Sequence, residues 1–147
     1  MMLKEAGYST GLFGKWGLAL HNQYGIPNKM GFDFFYGYNC QLRAHDYYPG
    51  HLWRNDQVVP LDGKTYSHEL IANEALDFIR RSQDRPFFLY FTPVAVHNPV
   101  TPDKDLAGKS GAGPYGDWIH ELDQSVDRIL ATLDKMGVAK DTLVLFT

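Results

Sequence analysis

Cysteine is nearly absent: Cys40 is the only one in 147 residues. A single thiol excludes an internal disulfide and leaves the redox compartment open. An excess of either charge is missing too, since 14 Lys and Arg stand against 17 Asp and Glu, a formal net charge of -3. That balance lacks the basic stripe of a nucleic-acid binder. No apolar run reaches the roughly 20 residues needed to cross a bilayer. Met1 to Ala6 opens straight into helix-like sequence without an apolar targeting core. No long glycine-rich run precedes Lys15, which excludes a phosphate-binding P-loop. His21, His51, His68 and His120 are scattered without the paired spacing of metal sites. Asp33, Asp46, Asp56 and Asp62 do not form the spaced run of a calcium-binding EF-hand. No metal ligand is therefore assigned within the chain. Internal repeats and low-complexity tracts are absent as well.

What is present is core-forming material, 44% apolar and 14% aromatic residues, too rich for a disordered chain. Leu3 to Ala6 reads as the last turn of a helix stopped by Gly7, and Tyr8 to Phe13 as a short strand. Residues 17–66 read as a long irregular segment rich in Gly, Asn, Tyr and Pro, of the kind that usually binds something. Within it, Val58 to Gly63 suggests a hairpin or edge strand ending in an Asp-Gly turn. Ser67 is placed to cap a helix whose apolar face is Ile71, Ala72, Ala75, Leu76 and Ile79. Phe87 to Phe91 is a short run that reads as a strand buried on both faces. A second helix is expected from about Asp117 to Met136, and a last strand over Thr142 to Phe146. Strand, helix-bearing crossover, strand is a parallel α/β unit, whose ligands bind beyond the carboxyl ends of the strands.

Three residues stand where chemistry would be placed. Lys15, in a Gly-Lys-Trp turn beyond the first strand, suits an anionic oxygen, although a surface lysine beside a packed Trp16 reads the same way. His97, in a loop bracketed by Pro93 and Pro99, could exchange a proton with a leaving oxygen or simply bond backbone. His45 either lines a substrate pocket or is a partly exposed loop histidine. Cys40 has Arg43 nearby but no other activating signature, and reads as a small apolar residue.

Taken together, the phrases resemble a known family. Lys4-Glu5-Ala6-Gly7-Tyr8-Ser9-Thr10-Gly11-Leu12-Phe13-Gly14-Lys15-Trp16 is similar to the second sequence signature of type I sulfatases. Gly31-Phe32-Asp33, Ala44-His45 with Tyr47-Tyr48-Pro49, Pro86 to Tyr90 leading to His97-Asn98-Pro99, and Glu121-Leu122-Asp123 follow in family order. The likeness runs over essentially the whole chain and is nearest to the bacterial arylsulfatase branch.

The resemblance implies an alkaline-phosphatase-like α/β/α sandwich with a mostly parallel central sheet, incomplete here, residues 1–147 being part of a catalytic domain. It implies hydrolysis of sulfate esters, aryl or carbohydrate, with a formylglycine nucleophile and a bound Ca2+. Lys15 would contact the nucleophile or a sulfate oxygen, His97 would protonate the leaving oxygen, and His45 would bind substrate. Three departures are visible. Gly17 stands where the family has histidine, a loss His45 is expected to compensate. The nucleophile motif is absent, and so are the calcium ligands, so the isolated chain is expected to be inactive. The same resemblance suggests a periplasmic or secreted enzyme acting on a sulfated small molecule or carbohydrate. Alternatives are a phosphodiesterase or phosphonate hydrolase of the same superfamily, or a non-catalytic fragment binding anionic sugars through its aromatic loop.

Overall fold

The computed structural model describes residues 2–20 and 23–147. Helix α1 (Met2–Glu5) ends at Gly7, which takes φ 84°, and leads into strand β1 (Ser9–Lys15). Strands β2 (Phe34–Tyr38), β3 (His51–Arg54), β4 (Gln57–Pro60) and β5 (Phe87–Thr92) complete one sheet in the order β4-β3-β2-β1-β5. β1 pairs parallel with both β2 and β5, while β3 and β4 join antiparallel. Residues 17–66, expected to be irregular, therefore supply three strands; short strands between turns lack the length that makes a period visible. The hairpin turns at Asn55-Asp56 rather than at Asp62-Gly63. Asn55 adopts φ 56° and its Oδ1 accepts the Phe35 N–H at 2.9 Å, so it also fixes the start of β2.

Helices α2 (Ser67–Arg81) and α3 (Gly113–Lys135) pack together on one side of the sheet. Phe78 of α2 meets Phe13 at 5.4 Å and Phe87 at 6.2 Å, and α3 adds the fully buried Trp118. Ser67 does not cap α2: Tyr66 holds the cap position, and the Ser67 hydroxyl instead shares a hydrogen bond with the Tyr38 hydroxyl at 2.8 Å. α3 begins four residues earlier than expected, because the Asp117 carboxylate accepts Gly108 N–H, Ser110 N–H and Ser110 Oγ–H and so folds the preceding turn onto the helix. Those bonds hold the Asp117 carboxyl below its ordinary value.

On the other side lies the segment before β2. Phe32 stacks on Phe88 and Tyr90 of β5 at 6.2 and 6.4 Å and receives Trp16 edge-on. This cover is thin: Phe88 and Tyr90 remain 38% and 47% exposed, so β5 is not buried on both faces. Asp33 latches the segment to β1, accepting from Thr10 N and Thr10 Oγ1 at 3.0 Å each and pairing with Lys4 at 2.6 Å. Burial pushes its carboxyl up, but Lys4 and the Thr10 bonds outweigh that and hold it low.

Thr142 to Phe146 forms no strand. It is extended and exposed, with Leu143 and Leu145 about four-fifths accessible, because a strand exists only through a ladder partner and none adjoins it among the described residues.

Candidate active site at the carboxyl rim of the parallel strands

The three parallel strands end together. Gly14 and Gly37 let them close up there: a Cβ on Gly14 would stand 1.8 Å from the Thr92 carbonyl oxygen, and one on Gly37 1.9 Å from that of Gly14. Both take positive φ, 125° and 150°, which glycine tolerates without a Cβ penalty. Thr92, the last residue of β5, ties the rim by donating Oγ1–H to the Lys15 carbonyl at 2.9 Å.

Lys15 is the last residue of β1, beside Tyr38, rather than part of a turn beyond the strand. It is half-buried, and its ammonium has no hydrogen bond or ion pair among the described residues. Asn39, one step past β2 on the same rim, is 2% exposed, and neither its Oδ1 nor its Nδ2 finds a partner among the described residues. A buried amide left unpaired costs on the order of 1–3 kcal/mol per group, so such atoms mark a place built for something else. The sequence reading missed Asn39; the available signal was a polar side chain closing an otherwise aromatic strand.

His97 follows β5 in an exposed loop and meets His45 edge-to-face at 4.8 Å between ring centroids. His97 Nδ1 lies 2.9 Å from the Asn98 carbonyl oxygen and His45 Nδ1 lies 3.0 Å from that of Leu42. A carbonyl only accepts, so each Nδ1 carries its proton and each Nε2 is left for an external partner. The structure thus brings His45 and His97 into contact and sets Lys15 on the same edge of the sheet. His21 lies outside the described residues. His51 is on β3, while His68 is buried in α2, its Nε2 on Ser125 Oγ at 2.9 Å. Burial drives His68 down to about 4.

Behind the rim, Glu121 of α3 accepts from Tyr66 Oη and from the Asp103 N–H, both at 3.1 Å, and burial pushes its carboxyl up to about 7. This node fastens the segment after His97 to both helices. A separate cavity of about 270 Å3, lined by Ser9, Phe34, Arg54, Glu74, Arg81 and Arg85, opens at the opposite edge of the sheet and holds none of the predicted site residues. The described residues include no group of three or more His, Cys, Asp or Glu that could hold a metal ion, so the ligand set for calcium is not among them.

A mixed sheet whose three parallel strands end at a common rim, with two helices packed on one side, is that of an alkaline-phosphatase-like α/β fold. The family model "Sulfatase" matches residues 1–147, and the chain belongs to that family. It is 36% identical to N-acetylgalactosamine-6-sulfatase of Rattus norvegicus over 99% of this chain and 31% of that protein. The chain thus spans about a third of the length of that curated relative. A solved structure concerned with metabolism of multiple glycosaminoglycans by Bacteroides thetaiotaomicron superposes with TM-score 0.74 at 28% identity, over 93% of this chain and 42% of the other. Another, in complex with its substrate D-glucosamine-2-N,6-O-disulfate, gives TM-score 0.57 at 28% identity over 75% of this chain and 21% of the other.

Proposed function

We propose that this rim binds the sulfate group of a sulfated carbohydrate and takes part in hydrolysing its ester. The observation that carries the reading is the pair of Nε2 atoms left open by His45 and His97 on the edge where the Lys15 ammonium also stands unpaired. Lys15 would hold a non-bridging sulfate oxygen, giving fixed positive charge where the transition state gathers negative charge. A protonated His97 would donate its Nε2–H to the bridging oxygen while an oxygen nucleophile bonds to sulfur and the S–O bond to the sugar breaks, so that the sulfuryl group passes to that nucleophile and the sugar leaves as an alcohol. His45, at the side of His97, would accept a hydrogen bond from a sugar hydroxyl at Nε2 or, when protonated, donate to the sulfate; the space beside Gly17 is taken by Gln41, whose Oε1 would stand 3.0 Å from a Cβ there. Sulfated sugars are favoured as substrates because N-acetylgalactosamine-6-sulfatases and a D-glucosamine-2-N,6-O-disulfate complex are among the similar proteins. Membership of the sulfatase family supports a formylglycine nucleophile and a bound calcium as the other parts of this chemistry.

The test is titration of the chain with sodium sulfate, following histidine ring signals by long-range 1H–15N correlation. Saturable shifts confined to His45 and His97, lost on Lys15→Met, are expected. Shifts spread over all the histidines, or unaffected by Lys15→Met, would remove the reading. Parallel titration with phosphate separates the sulfatase reading from a phosphodiesterase one.

A further inference from the structure

Tyr47 is 2% exposed, its ring set edge-on against Trp118 at 5.2 Å, yet its hydroxyl leaves this packing and donates to the His97 carbonyl at 2.6 Å. The tyrosine is itself held from three directions. Its own carbonyl accepts the Ser67 N–H at 2.9 Å at the start of α2, the preceding Asp46 carbonyl accepts Tyr38 Oη–H at 2.6 Å, and its ring lies beside that of Tyr66. Two residues upstream, the His45 ring rests on the His97 ring. Residues 45–47 therefore grip His97 at both ends, one side chain on its backbone oxygen and another on its imidazole. The loop has few other anchors near this point. The His97 N–H reaches only the Val94 carbonyl, at 3.4 Å, and the ring Nδ1 reaches only the adjacent Asn98 carbonyl.

We infer that Tyr47 is a positioning residue whose hydroxyl, together with the His45 ring, sets where the His97 imidazole stands on the rim. The inference rests on the proposed function for its consequence but not for its geometry. Burial pushes the Tyr47 hydroxyl up to about 12, so the donor proton stays in place across the range in which enzymes work. A buried tyrosine hydroxyl needs a partner, and the one it takes here is the backbone oxygen of the rim histidine itself, 50 residues away. Because the ring does the packing and the hydroxyl does the positioning, Tyr47→Phe separates the two roles.

The experiment compares wild type and Tyr47→Phe by long-range 1H–15N histidine spectra, first without anion and then with sodium sulfate. In wild type His97 is expected as a single Nδ1–H tautomer. In Tyr47→Phe its signals should average between tautomers and lose the ring-current shift from His45, while the buried His68 signals stay fixed and report an intact core. Sulfate affinity should weaken about three- to tenfold, the range set by one lost hydrogen bond. Unchanged His97 signals in Tyr47→Phe, with His68 also unchanged, would overturn the inference. If wild type shows no sulfate response but His97 still changes tautomer in Tyr47→Phe, the positioning role stands and the anion-binding reading falls. Should Tyr47→Phe fail to fold, the wild-type Tyr47 hydroxyl proton decides: a slowly exchanging resonance supports the clamp, and fast exchange with water overturns it.

Discussion

At the residue scale, two buried groups in the helical layer titrate in opposite senses. His68 is driven down to about 4 by burial, so between its ordinary value near 6.5 and 4 the unfolded chain binds the extra proton. Stability from this group is therefore lost as pH falls through that window. Glu121 is pushed up to about 7 by burial, so between its ordinary value near 4.5 and 7 the folded chain holds the extra proton, and stability is lost as pH rises. The slopes oppose each other over the shared part of the range, where the wild-type profile should be flat. Glu121→Gln keeps an oxygen for the Tyr66 hydroxyl and the Asp103 N–H but cannot ionise. Urea unfolding across pH 4 to 8 should then show stability rising to near pH 6.5 and no decline beyond it. A profile identical to wild type would show that Glu121 does not titrate in this interval. Lys15→Met, by contrast, should leave that profile untouched while weakening sulfate binding, since its ammonium holds no partner among the described residues.

At the scale of the element, the rim depends on how closely β1, β2 and β5 approach. Gly14→Ala would place a Cβ 1.8 Å from the Thr92 carbonyl oxygen, an overlap that only separation of the strands relieves. A loss of roughly 4 kcal/mol or more is expected in denaturant unfolding, in the class of exceptional single-site effects. Gly50→Ala, where nothing lies within 4 Å of the new Cβ, serves as the mild control. A similar small loss for both would mean that the strands splay without difficulty.

The sequence made the long elements legible, because helices of 15 and 23 residues repeat their apolar spacing often enough to be seen. It also singled out Lys15, His45 and His97, although Lys15 proves to be the last residue of β1 and not part of a turn beyond it. Of β4 it showed the edge strand but not its turn, and it did not reveal β2 and β3, where strands of four or five residues are set by partners distant in sequence, nor the starting residue of α3, which the Asp117 carboxylate decides through Ser110. Asn39 and Tyr47 were hidden for a related reason. An amide after an aromatic strand and a tyrosine in an aromatic phrase look like ordinary packing until the unpaired atoms of one and the outward hydroxyl of the other are seen in space.

At the scale of the whole molecule, the sheet is well covered on one side and poorly on the other. α2 and α3 bury Phe13, Phe78 and Trp118, whereas Phe88 and Tyr90 face out past Phe32, and β5 ends the sheet with one edge unpaired among the described residues. The segment after α3 adds Leu143, Leu145 and Phe146, which are 82%, 80% and 73% exposed. An unpaired edge beside apolar side chains is a template for pairing with another chain, and a contiguous apolar patch deepens the attraction. The 147-residue chain should therefore self-associate at micromolar concentration, seen as a concentration-dependent rise in light scattering. Lysine on the exposed face opposes edge pairing through charge repulsion and the cost of desolvating the ammonium. Tyr90→Lys combined with Leu145→Lys should thus lower the scattering towards that of a monomer, while leaving the buried His68 ring signals and the His45–His97 ring contact unchanged. Scattering that persists in the double variant would locate the association elsewhere, with the arginine-lined cleft at the opposite edge the next surface to alter.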